Sequence, residues 1–180
     1  MDTSPRTYRF LPVDVYTSSY RVVGKVMVSN HGIMGVVNDT TKSHLEIHDA
    51  RLARIHMPTK LVDHFEVVRT VKTELFGICA ARREDLGPSG VQRGGYTNVT
   101  AMPARLVTPV YEIEGKIEVA GRFDFAMMIM DKTRNFIPVY EATLTAILIP
   151  NLKVESPGIL LNREKVDILA LLNQRAKEDK

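Results

Sequence analysis

The chain repeats itself, and that restricts its fold more than any other feature. The segment TSSYRVVGKVMV (17–28) can be set over TPVYEIEGKIEV (108–119). Thr17, Tyr20, Gly24, Lys25 and Val28 then meet Thr108, Tyr111, Gly115, Lys116 and Val119, an offset of 91. One residue of slip gives 92, where Asp39, Thr41, Ala50, Leu52 and Pro58 meet Asp131, Thr133, Ala142, Leu144 and Pro150. A third stretch aligns at 93, with Val68, Lys72, Leu75 and Phe76 over Leu161, Lys165, Ile168 and Leu169. Order and spacing survive with single-residue slips, so one supersecondary unit is used twice.

Each copy reads as β-rich. In the second, Tyr111, Ile113, Gly115 and Ile117 alternate with Glu112, Glu114, Lys116 and Glu118, the period of a strand. Gly24 and Gly115 fall inside these strands and predict a bend, a bulge or a close backbone approach. HGIMGVVND and RFDFAMMIMD are short apolar runs that fit a helix or a buried strand equally well. NFIPVYEATLTAILIP predicts a long strand, and GILLNREKVDILALL a closing hairpin turning at Asn162–Glu164. SHLEIHDARLARIHM and FEVVRTVKTELFGICA repeat this in the first copy. The expected fold is mainly β: two tandem copies of a small barrel-like or curled antiparallel unit, each of about five strands with one short helix. The first spans 1–81 and the second 104–180. Residues 82–103, with four glycines and two prolines, are expected to link them.

A unit of this size buries only about 60–65% of its surface, so the copies are expected to pack on each other or on a partner. Residues 1–90 hold 12 Lys+Arg and 10 Asp+Glu, and residues 91–180 hold 12 and 11. Neither half is a basic arm. The single cysteine, Cys79, excludes an intrachain disulfide and fits a reducing compartment. With no apolar run near ~20 residues and no signal-peptide pattern at the start, a cytoplasmic location without membrane contact is expected.

The second copy resembles the Sm-like small barrels. DFAMMIMD places Asp124 and Met127 in that family's D-x-x-M-N element, and LLNREKVDIL is similar to its closing hairpin. The resemblance implies a small barrel and, in its fuller form, RNA contact. The family's nucleotide-contacting Asn falls on Met128, its Arg-Gly becomes Asn162-Arg163, and the first copy has neither the Asp nor the Asn. The pattern Y-x-I-x-G followed by F-I-P-V also resembles a bacterial domain family of uncharacterised function.

Three sets of residues stand out. Phe136, Pro138 and Tyr140 share one strand face and are expected to make it outwardly apolar, a contact surface for another part of the molecule or a second subunit. His44, Glu46 and His48 share the corresponding face of the first copy, where they form either a divalent-metal site or an ordinary solvated face. Arg51, Arg54, Arg82, Arg83 and Arg93, with Tyr96 for base stacking, are the candidate nucleic-acid contacts. Cys79 lies in an apolar strand and reads as inert, and no nucleophile–base or phosphate-loop pattern occurs. The leading expectation is therefore a non-enzymatic binding or assembly protein, without a cofactor, that meets a protein partner or itself. The alternatives are an RNA-binding tandem barrel and a metal-binding protein centred on His44 and His48.

Overall fold

The computed structural model describes residues 8–88, 98–130 and 134–172. Its strands are β1 (Arg9–Tyr16), β2 (Tyr20–Val28), β3 (His44–Arg54), β4 (Leu61–Val71), β5 (Gly77–Ala80), β6 (Val99–Val107), β7 (Tyr111–Ala120), β8 (Phe136–Ala146), β9 (Lys153–Asn162) and β10 (Ile168–Leu171). Two short helices, α1 (Gly32–Val37) and α2 (Phe125–Met130), separate β2 from β3 and β7 from β8. Both ambiguous apolar runs are therefore helical.

All ten strands form one antiparallel sheet in the order β10-β6-β7-β8-β9-β5-β1-β2-β3-β4. It has two ends and does not close, which corrects the expectation of a barrel. The closing hairpins are corrected too: β4 does not pair with β5, nor β9 with β10. Between them lie three-residue 3-10 turns, Lys72–Glu74 and Arg163–Lys165. These lack the Gly or Asn that a tight hairpin turn needs, and they redirect the chain across the sheet to β1 and to β6.

Local chemistry explains the elements. Thr17 and Thr108 each turn the chain: each Oγ1 accepts from the backbone N–H three residues on, of Tyr20 and Tyr111, at 3.0 and 2.9 Å. These turns split what reads as one long strand into β1–β2 and β6–β7. At Gly24 the β2–β3 register slips by one, and the same slip occurs at Gly115 between β7 and β8. The bulged residues are Asp49 and Glu141, at φ 49 and 47. A Cβ on Gly24 would lie 2.8 Å from the His48 carbonyl oxygen, and one on Gly115 would lie 2.8 Å from that of Tyr140. Both glycines admit a neighbouring backbone at a bend.

The ladders also revise the third stretch of the alignment. Leu161 pairs with Ile137, and Thr70 pairs with Leu45. Since Ile137 corresponds to Leu45, Leu161 stands where Thr70 stands, at 91 rather than 93. A two-residue slip preserves strand alternation, so the hydrophobic pattern could not separate the two. Parts of the expected linker 82–103 have regular structure. Arg83–Leu86 is a 3-10 turn whose Leu86 is fully buried, and β6 begins at Val99.

Two apolar clusters lie on the sheet. One gathers Leu11, Val15, Val26, Ile47, Ile78 and α1. The other gathers Leu106, Tyr111, Ile113, Val139, Leu144 and Ile159. Replacing Gly115 by Ala forces a methyl group against the Tyr140 carbonyl. We expect a loss of about 1–3 kcal/mol, read as a lower denaturation midpoint with an unchanged m-value in urea.

Candidate functional site

The two five-strand runs meet where β5 pairs with β9: Gly77 with Leu161, Ile78 with Leu160, Cys79 with Ile159 and Ala80 with Gly158. Every residue of β5 is buried. Its side chains alternate between the clusters, with Ile78 and Ala80 in the first and Cys79 in the second. β9 alternates likewise, Leu160 entering the first and Ile159 and Leu161 the second. This strand pair is a seam with a core on each face.

Polar groups fasten it. Ser156 Oγ donates to the Ala80 carbonyl at 3.1 Å, and Asn162 Nδ2 to the Leu75 carbonyl at 2.9 Å. Asn38 accepts from the Phe136 N–H at 2.9 Å and donates to its carbonyl at 3.2 Å. Tyr111 Oη donates to the Thr17 carbonyl at 2.6 Å, while its ring meets Tyr16 and Phe76 edge-on with centroids 5.9 and 5.5 Å away. Asp14 accepts from both the Arg21 guanidinium and the Tyr16 hydroxyl. Leu86 packs into the space that Gly158 leaves by lacking a side chain.

Phe136, Pro138 and Tyr140 do not form an outward face. Phe136 and Tyr140 are 1% and 3% exposed and belong to the first run's cluster. Pro138 is half-buried. Alternation put these side chains opposite Val139 on an expected contact face; of the two expected occupants, another part of the molecule covers it, since Phe136 and Tyr140 join the cluster of the first run. The Arg83 guanidinium lies 4.0 Å above the Tyr140 ring and also pairs with Glu118.

The histidine face holds a different arrangement. Glu46 Oε1 accepts from Arg69 Nε at 3.0 Å, which holds this carboxyl below its usual range, and it lies 3.8 Å from His44 Nε2. His48 meets Phe10 edge-on at 5.0 Å. Among the described residues no three His, Cys, Asp or Glu side chains gather as a metal site. Arg51 and Arg54 are exposed on β3. Arg82 is paired with Asp85, at 3.1 Å, and with Glu84. Arg93 and Tyr96 lie outside the described residues. No helix among the described residues is long and apolar enough to cross a membrane.

A crevice of about 310 Å³ opens beside the seam, between Asp39, Lys72, Phe136 and Asn162. Lys72 Nζ donates to the carbonyls of Val36 and Asp39 at 2.8 and 2.7 Å, and burial lowers its pKa. Its ammonium group therefore serves as mortar between α1 and the turn after β4. Sequence reasoning missed Asn38, Leu86 and Asn162. Leu86, a lone leucine in a polar stretch, carried the only local signal.

Comparison with protein-family models, with curated proteins and with solved structures found no match.

Three consequences are measurable. Phe136→Ala is expected to cost about 3–5 kcal/mol, read by urea unfolding; a solvent-facing Phe136 would leave the midpoint unchanged. Native Cys79, buried and with its pKa raised chiefly by burial, is expected to resist a thiol reagent at pH 8 until the chain is unfolded. Burial raises the pKa values of Tyr16 and Tyr111 as well. For all three groups the folded pKa exceeds the unfolded one. The stability they contribute is thus complete below the ordinary values of 9.0 and 10.0 and is lost as pH rises past them. Urea titrations at increasing pH should show that decline, by up to ~1.4 kcal/mol per pH unit for each ionising group.

Proposed function

We propose that this protein is a non-enzymatic assembly protein, built from a duplicated β unit and joining partners edge to edge. One observation carries the reading: among the described residues the sheet terminates at both ends in strands paired on one side, and one of them is long and exposes five large apolar side chains. Among the described residues β4 runs for 11 residues, pairs with β3 alone, and exposes Leu61, Val62, Phe65, Val67 and Val71 beside Asp63, His64, Glu66 and Arg69. Among them β10 pairs with β6 alone and exposes Ile168. Proteins commonly blunt such edges with charged side chains, prolines, bulges or covering loops; β4 has charges at Asp63, Glu66 and Arg69 and an irregularity in its pairing near Leu61–Asp63, but its Phe65–Val71 stretch pairs regularly with β3. A free edge that remains apolar is suited to strand addition, in which main-chain bonds supply affinity and side chains select the partner.

Duplication is supported by the matching strand order of the two runs and by their shared threonine turns and bulges at Gly24/Asp49 and Gly115/Glu141. The expected interface residues Phe136 and Tyr140 join the two units inside one chain. That leaves the outer strands as the surfaces for association.

Size-exclusion chromatography with light scattering tests the reading. At micromolar concentration the protein should exceed its chain mass of 20.2 kDa. Replacing the exposed Phe65 and Val67 by Lys should return it to one chain. Because both side chains are exposed, its unfolding free energy should change by no more than about 0.5 kcal/mol per site. A wild-type protein that stays a single chain at every concentration would overturn the proposal.

A further inference from the structure

We infer that the partner of β4 is β10 of a second copy of this chain, joined head to tail in the register of the internal seam. This rests on the assembly reading above and specifies its partner. The seam unites β5, the last strand of the first run, with β9, the penultimate strand of the second. In the same order of strands, β10 corresponds to β5 and β4 to β9. The two free edges are thus the unused counterparts of the two strands that already pair. Shifting each partner of Gly77↔Leu161 by 91 pairs Ile168 with Thr70 of the next chain, and Leu171 with its Val67.

A second observation points to the same docking. At the seam Tyr111 is fully buried and its hydroxyl donates to the Thr17 carbonyl. Its counterpart Tyr20 keeps the tyrosine but is 39% exposed. The counterpart of Thr17 is Thr108, which makes the same turn. Docked in register, Tyr20 would lie against the turn that Thr108 makes in the next chain.

The two seams differ on one face. Where Phe136, Tyr140 and Leu160 line the internal seam, the corresponding positions by the free edge are His44 and His48 on β3 and Arg69 on β4. Less apolar area is buried there, so the joint between chains is the weaker and the reversible one. Because its two surfaces are different, the contact is heterologous and continues from chain to chain.

Directly opposed residues of antiparallel strands sit about 4.5–5.5 Å apart at Cα, within reach of a disulfide. In a Cys79→Ala background, Thr70→Cys with Ile168→Cys should form chain-to-chain disulfides on mild oxidation, whereas Thr70→Cys with Ala170→Cys should form far fewer. Equal or greater yield from the offset pair would overturn the register while leaving assembly intact. A protein that stays a single chain would overturn both. His44→Phe with His48→Tyr places the internal seam's residues on the free edge. It should tighten association at least roughly tenfold, measured by sedimentation with circular dichroism as the check on folding. Unchanged association of the folded variant would show that this face is not at the joint. Tyr20→Lys supplies an independent reading: association should weaken severalfold in a variant that circular dichroism shows to be folded, and unaltered association would count against the docking.

Discussion

The fold depends on a four-residue strand with a core on each side. β5 is shorter than any other strand except β10, yet it carries the pairing that turns two five-strand runs into one sheet. Its alternating side chains enter both apolar clusters, and so do those of β9. Neither cluster is made by one run alone. The first draws Phe136, Tyr140 and Leu160 from the second half of the chain, and the second draws Tyr16, Phe76 and Cys79 from the first. A unit of about 80 residues leaves much of its apolar surface exposed, and this exchange of side chains supplies the missing cover. The polar fastenings are spent on main-chain groups, where an unmade bond would be costly.

Much of this was legible in the residues. Alternation placed most strands, and the pairs Thr17/Tyr20 and Thr108/Tyr111 marked equivalent positions that prove to be equivalent turns. Gly24 and Gly115 were readable as close approaches because a strand interior seldom uses a residue that cannot pack. What escaped was everything set by the path between strands. The turns after β4 and β9 lack the Gly or Asn of a tight hairpin, but nothing in them tells which distant strand the chain goes on to pair with. The 91/93 ambiguity is invisible to a pattern of period two. Phe136 and Tyr140 were legible as a contact face, but the choice between the first half of the chain and a second subunit depended on a contact some 100 residues away in sequence, which no window on β8 contains. The histidines and arginines drew attention as sites through residue type alone; in the fold, Arg69 engages Glu46 and Phe10 engages His48.

The two five-strand runs follow the same strand order and differ in finish. Where the second half sets Phe136 and Tyr140 against its neighbour, the first sets His44 and His48, and where one buries Tyr111, the other exposes Tyr20. These differences follow position in the sheet: Phe136, Tyr140 and Tyr111 are buried at the seam, whereas His44 and His48 lie next to the uncovered strand and Tyr20 is exposed on the strand beyond them.

The seam also bears on the order in which the chain can fold. When residues 8–88 have been made, β5 can pair with β1, but its other edge must wait for Gly158–Leu161, some 80 residues later. Until then the first half lacks Phe136, Tyr140 and Leu160, and Leu86 has no Gly158 to pack against. Pairing across such separations is slow to form because loop closure must precede the contacts that reward it. The nascent first half is therefore the stage most open to capture by a chaperone or by the unfinished half of another chain.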